Sequence, residues 1–410
     1  MDFEMTEDQK MLYRVTRDFA EKELRPKAKE LDKKEKPLDR VDWELIQKAS
    51  QLGFRTLTWP EEYGGIGADL LTTVIHFEAL SWGDAGFSHY FFQSHVLGAS
   101  IPGMPQKLKD EIIAKMAVDD TYLMGISNTE SCGATEYTLP YDVPGAAFQT
   151  VADRKGDEFI INGTKEYCSN GPIAKMISVS VQTKRQAPLS QSWSQIMVPA
   201  ATPGLSIGKI HEHLGMRLLP TAEMIFDNVH VPASYLVGEE GKSLESHHRV
   251  RPRILTIHNA QMLGILQALY DDSLEFAQNR IVCGKPIIEH HAIKFLLADM
   301  RMKLEAARSL VFKTAWNLDH KKADFKNNTE VVYLAKAFLD EIALTIIRDA
   351  DEIHGGMGTN KEMLSEKLIR DAFTMLHWMN TRSIAYLKGA PTLEEVSIVG
   401  QQKSSDAPGL

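Results

Sequence analysis

The hydrophobic period of this chain changes twice. Up to about residue 122, apolar side chains recur at three- and four-residue spacing, as at Leu12, Val15 and Phe19. From about 123 the spacing falls to two: Ile177, Val179 and Val181 alternate with Ser178, Ser180 and Gln182. From about 245 to 390 the longer period returns, with Ile293, Leu296, Leu297, Met300, Leu304, Ala307, Leu310 and Val311 on one face. A stripe written for a helix does not lie flat on a strand, nor the reverse. The expectation is therefore an α+β chain: an all-helical domain over 1–122, a β domain over 123–235 and a helical bundle over 236–395. Short polar breaks between the late helices suit antiparallel packing. Residues 396–410, ending QQKSSDAPGL, read as a flexible tail.

Local signals refine this outline. Thr6 ahead of Glu7, Asp8 and Gln9 predicts a helix start. Trp43 to Leu52 reads as a helix stopped by Gly53. WPEEYGGIGAD (59–69) is a loop. Asn162-Gly163 signals a hairpin, Glu223 to Val231 a strand ended by Pro232, and 185–195 an exposed loop. In 81–98, Asp84, His89, Gln93 and His95 crowd among aromatics. Between Asp349 and Thr381 a glycine run breaks one helix and feeds another. Such a break can hold a phosphate-bearing ligand, because free N–H groups point outward at helix N-termini. It can equally be a plain connection.

Composition narrows the classes. The 410 residues are 43% hydrophobic and 25% charged, ordinary for a soluble globular protein. A formal net charge of −9 speaks against nucleic-acid binding. No apolar run reaches membrane-spanning length, and the acidic start MDFEMTEDQK has no apolar signal core. Cys132, Cys168 and Cys283 lack metal or disulfide spacing, so free thiols, no metal and a cytoplasmic location are expected.

Several stretches, in order, resemble the acyl-CoA dehydrogenases. They are MDFEMTEDQ at the start, LTWPEEYGGIGAD (57–69), NTESCGATE (128–136), INGTKEYCSNGPIA (161–174), LGMR…TAEMIFDNVHVP (214–232), NRIVCGKPIIEHHAIKFLLADM (279–300) and EIHGGMGT…EKLIRDA (352–372). The resemblance implies a helical domain, a β domain and an antiparallel four-helix bundle. It also implies a homotetramer, one FAD per subunit, an acyl-CoA substrate and electron-transferring flavoprotein as acceptor. It assigns Thr129 to the flavin edge, and Tyr167 to the place of a tryptophan beside the ring. Ser169 falls on the N5 side, and Arg280 meets the diphosphate. Gly355 and Gly356 fall at a neighbouring subunit's cofactor, and Thr381 near the adenosine phosphates. Cys283 and His291 replace the family's phenylalanine and glutamine on the diphosphate side, and TESCGATE departs from its usual wording.

The family's reaction removes an α proton from a CoA thioester with a glutamate while a β hydride leaves to the flavin. That glutamate position is Met379 here, and the alternative position on the first bundle helix is Ile254. A thioether does not take up a proton at neutral pH. The backbone N–H of Met379 remains to polarise the thioester. Asp84 is the candidate for a relocated base, or else a helix cap. Gln93, His95 and Arg253 are expected at the substrate. Arg251 and Arg253 fit either a substrate carboxylate or CoA phosphate, and His258 faces either the bundle or the pocket. The expected activity is FAD-dependent oxidation of an unusual, for instance alicyclic, acyl-CoA. Alternatives are an enoyl-CoA reductase, a flavin monooxygenase or a silent subunit of a heteromeric dehydrogenase.

Overall fold

The computed structural model describes residues 4–98, 103–133, 139, 142–321 and 325–395. The expected tail, 396–410, lies outside the described residues.

Thr6 caps α1 (Glu7–Phe19): its hydroxyl accepts from Gln9 N at 3.2 Å, and the Gln9 side chain returns to Thr6 N at 3.1 Å. A π turn, Ala20–Leu24, leads into α2 (Arg25–Asp32). Asp42 caps α3 (Trp43–Gln51), and Gly53, at φ +83°, ends the turn that follows. Asp69 caps α4 (Leu70–Gly83), followed by α5 (Ala85–Gly98) and α6 (Gln106–Val118). Almost every side chain of α4 is buried. A helix apolar all round belongs inside a core, and α4 lies between α1 and the first long helix of the C-terminal domain.

The middle of the chain makes one sheet from β1 (Met124–Ser127), β2 (Val151–Lys155), β3 (Glu158–Ser169), β4 (Met176–Gln182), β5 (Trp193–Pro199), β6 (Leu205–Ile210), β7 (Thr221–Pro232) and β8 (Leu236–Val237). The order is β6-β7-β3-β1-β4-β5-β8, with β2 beside β3 and β4. Two expectations are corrected. Asn162-Gly163 is not the hairpin; the chain turns at Gly156 (φ +61°), and β3 runs straight through 162–163 with a bulge against β7. Asn162 Oδ1 accepts from Asn228 N there at 2.8 Å, so the pair fixes a bulge. Nor is 185–195 an open loop. It holds one helical turn, α7 (Leu189–Ser192), and the start of β5, with Leu189 and Trp193 buried against Phe148.

The C-terminal domain comprises α8 (Ser243–Asn279), a small hairpin of β9 (Ile281–Val282) and β10 (Lys285–Pro286), α9 (His291–His320), α10 (Phe325–His354), α11 (Leu364–Leu376) and α12 (Arg382–Glu395). Leu297, Met300, Leu304, Ala307 and Val311 form the buried stripe of α9. One apolar core joins α1–α5 to α8–α12, and a second lies under the sheet and includes Leu108, Ile112 and Met116 of α6.

Ion pairs from α11, buried at Lys367 and half-buried at Arg370, fasten this assembly. Lys367 meets Asp84 at 2.5 Å and Asp371 at 2.6 Å, and Arg370 meets Asp32 at 2.6 Å. Asp371 also accepts from Met216 N at 2.6 Å, pinning the β6–β7 connection to the bundle. Sheet, α5 and bundle are thereby held along one seam.

Candidate active site

A row of aromatic rings follows that seam. Tyr167 of β3 stacks on His211, with centroids 4.3 Å apart. His211 and His213 follow at 6.2 Å, His213 meets Trp378 edge-on at 5.3 Å, and Trp378 meets His89 of α5 at 5.5 Å. Four non-glycine residues at the seam have positive φ: Tyr167 (51°), Asn170 (61°), Met216 (50°) and Met379 (71°). Such backbone persists where its surroundings over-determine it, and it clusters at functional sites. Here Asn170 is tied through its amide to Tyr90 O (3.0 Å) and Met124 O (2.9 Å).

Met379 forms the middle of a γ-turn, because Asn380 N donates to Trp378 O at 2.9 Å. Its carbonyl accepts from the Arg251 guanidinium at 2.7 Å. With its amide oriented to suit both neighbours, Asn380 also donates to that carbonyl (2.9 Å) and accepts from Arg251 (3.3 Å). Among the described residues nothing accepts from the Met379 N–H. The peptide is gripped by its oxygen while its donor stays open.

The residues assigned to a flavin fall in two groups. Tyr167 is 52% exposed, and Ser169 is buried opposite Thr221 of β7. The Thr221 hydroxyl and the Asn170 Oδ1 are buried without a partner, as a polar heterocycle edge laid here would require. Thr129 O accepts from Glu166 N at 2.8 Å, which seats it beside β3. Arg280, His291, Gly355, Gly356 and Thr381 are exposed. A Cβ placed on Gly355 or Gly356 would meet nothing within 4 Å, so this chain alone does not need glycine there for space. Gly355 needs it for φ +56°.

Three expectations are corrected. Asp84 is the cap of α5, accepting from Phe87 N at 2.7 Å, and its other oxygen is held by Lys367. A carboxylate with both oxygens engaged inside the protein is an anchor, not a waiting base. His95 has both ring nitrogens satisfied inside the N-terminal domain, by Thr58 Oγ1 and Phe54 O at 2.9 Å each. Burial lowers its pKa to about 4 and keeps it neutral. Arg253 is 39% exposed and pairs with Asp319 at 2.8 Å. Asp319 in turn caps the start of α4. Gln93 does face the seam: it donates to His89 Nε2 at 3.1 Å, and its own Oε1 is buried unbonded.

Of Arg251 and Arg253 it is Arg251 that is buried, 7% exposed. Two turns further along α8 lie His258 and Asn259, fully buried, with neither polar atom of either side chain bonded. The available signal was spacing: 251 and 258 are seven apart, which puts them on one helix face. Elsewhere Glu130 is structural, bonded to Lys165 (2.7 Å), Gln149 N and Thr150 N. Glu166, His211 and Glu223 bring three ligand atoms within 4.8 Å of one another, but Glu223 already accepts from Lys209 N.

The chain matches three family models, described as the acyl-CoA dehydrogenase N-terminal domain (residues 6–119), middle domain (131–229) and C-terminal domain (254–379). It is 34% identical over 380 residues to the probable acyl-CoA dehydrogenase YngJ of Bacillus subtilis, covering 92% of this chain and 95% of that one. It is 31% identical to the 3-(aryl)acrylate reductase of Clostridium sporogenes, covering 96% and 98%. The solved butyryl-CoA dehydrogenase of Megasphaera elsdenii superposes with a TM-score of 0.87 at 29% identity, covering 96% and 100%.

Proposed function

The chain belongs to the acyl-CoA dehydrogenase family, and on that premise we propose that it is an FAD-dependent oxidoreductase acting on a CoA thioester laid along the seam. The observation behind this reading is the Met379 peptide, whose N–H stays open while Arg251 and Asn380 hold its carbonyl. An N–H fixed in this way polarises a thioester carbonyl without reorganising, an effect worth roughly 3–4 kcal/mol in a barrier. Thr129, Tyr167 and Ser169 hold the flavin ring in this reading, and Arg280, His291, Gly355, Gly356 and Thr381 the diphosphate and adenosine side. The bound flavin supplies a hydride acceptor or donor at the carbon β to the thioester. The rings of Tyr167, His213 and Trp378 line that face. Proton transfer does not run through the usual position, because Met379 offers no acceptor there.

The same N–H polarises an enoyl thioester for reduction. The thioether at 379 and the 3-(aryl)acrylate reductase relative favour keeping that direction as a second reading. Electron-transferring flavoprotein is the proposed electron partner. Exposed Ile281, Val282, Phe295 and Met302 suit a homotetramer.

Anaerobic titration of the purified yellow protein with saturated and unsaturated, straight-chain, aryl and cyclic CoA thioesters tests the proposal. Bleaching by a saturated ester supports dehydrogenation, and recolouring of the reduced protein by an unsaturated one supports reduction. A colourless protein, or one that no thioester perturbs, defeats both and leaves a silent subunit.

A further inference from the structure

Moving a proton at the α carbon of a thioester needs a titratable side chain beside the Met379 turn, and Met379 is not one. His258 of α8 is placed there by its neighbours. It is fully buried, and neither ring nitrogen has a partner among the described residues. The charges that bear on it are those of Lys336, His89 and Arg251. Each of these three also touches the turn. Lys336 donates to Leu376 O at 3.2 Å, His89 meets Trp378 with ring centroids 5.5 Å apart, and Arg251 donates to Met379 O at 2.7 Å. The His258 ring is thus fenced by the side chains that hold residues 376–379. Burial, then those neighbouring charges, keeps it neutral, with a lone pair on one nitrogen. Two buried nitrogens without partners are costly, and a folded protein seldom leaves them idle.

The other titratable side chains of this region are committed. His89 has Gln261 on one nitrogen at 3.2 Å and Gln93 on the other at 3.1 Å. Both oxygens of Asp340 accept from Lys336, at 2.5 and 2.6 Å, and Lys388 donates to Tyr333 OH at 3.3 Å. His213 also has an unbonded Nε2, but it lies with Tyr167 on the sheet side, their rings 6.3 Å apart, where the flavin is read. A flavin laid on one face of a flat acyl group covers that face, so the α proton is handled from the opposite, helical side. We propose that His258 is the proton acceptor for the α carbon of the bound thioester, the role that Met379 leaves empty. The inference rests on the thioester reading above. The α C–H bond breaks, its proton goes to the lone pair of His258, and its electron pair passes into an enolate whose oxygen the Met379 N–H holds. That pair then makes the Cα–Cβ double bond as a hydride leaves the β carbon for the flavin. In the reductive direction His258 returns the proton to the same carbon.

The proton step can be watched apart from hydride transfer on the yellow full-length protein. Acetyl-CoA and phenylacetyl-CoA have α protons but no hydrogen on a β carbon, so only exchange of the α protons with D2O is open to them. Proton NMR should show the wild type speeding that exchange. His258→Gln should slow it by about 100-fold or more, with Kd, read by calorimetry, within about threefold of the wild type. In His258→Ala, added imidazole should restore exchange by filling the vacated space. Flavin content checks that each variant folds, and either one alone suffices. Binding of both esters by the wild type without exchange overturns the inference and leaves the thioester reading intact. Exchange at the wild-type rate in His258→Gln also overturns it. Exchange lost in His258→Ala but not restored by imidazole marks a structural role and overturns the catalytic one. Failure of these esters and of the whole panel above to bind overturns the thioester reading and the inference with it.

Discussion

Lys367 lies between Asp84 and Asp371 inside the protein, and the two acids are not equivalent. Asp84 also caps α5, while burial pushes Asp371 up to about 6. In Asp84→Asn the amide oxygen still accepts from Phe87 N and Lys367 still has Asp371. The loss should be about 1–3 kcal/mol, that of one hydrogen bond between charged groups. Lys367→Met strands two carboxylates and should cost more, about 3–5 kcal/mol. Urea unfolding of the two variants gives the order, and Asp84→Asn costing more than Lys367→Met would refute this account of the triad. At this scale the sequence was legible unevenly. Resemblance located Met379, Tyr167 and Ser169 by position. It offered nothing to separate Arg251 from Arg253, because two residues on a helix differ by about 200°. Only packing reveals which of the two turns inward. Asp84 carried both of its alternatives, and the partner that decides between them, Lys367, is 283 residues away in sequence.

Among the elements, β3 is the one whose local signal misleads. Asn-Gly tolerates positive φ, and that property serves a bulge as well as a two-residue turn. Gly163 has φ +142°, and a Cβ there would come within 2.6 Å of Thr150 Cα. Gly163→Ala should therefore destabilise by at least about 2 kcal/mol through strain and backbone displacement. The matching control is Gly356→Ala, with nothing within 4 Å and no positive φ, which should leave unfolding of the chain unchanged. Equal stability of both variants in urea would contradict the close approach. The long helices were legible because α9 repeats its apolar stripe over thirty residues. Segment 185–195 was not, since its polar composition conceals that Trp193 closes a small core with Phe148, Leu189 and Leu244.

For the whole molecule, protonation sets an acid limit. Burial lowers His76 to about 3 and His89 and His95 to about 4, whereas an unfolded histidine titrates near 6.5. Between pH 6.5 and 4 the unfolded chain holds protons that the folded one does not, so stability falls as pH drops through that window. Asp371, raised to about 6, opposes this with one proton, since its folded form is the better proton binder. Burial also lowers His247 and His258, which adds to the fall, and raises Glu78 and Asp340, which opposes it. With five histidines lowered by burial, stability should fall from pH 7 to pH 5. Chemical unfolding at pH 7 and pH 5 measures it, and a flat profile would rule it out. The helix–sheet–helix order was legible from period alone. That the two helical regions share one core was not, because periodicity marks faces and is silent on which faces meet.

That shared core bears on how the chain emerges from the ribosome. Ser243, where α8 begins, follows the end of α4 by 160 residues. At ~5–20 residues per second, roughly 8–30 s pass before α4 meets its main neighbour. Throughout that interval its apolar surface, Leu70 to Trp82, has only the nascent amino-terminal helices for cover. A fragment ending at residue 122 should accordingly show helical circular dichroism without a cooperative melt. In the cell the early helices are then natural clients for a chaperone until the third quarter of translation is complete.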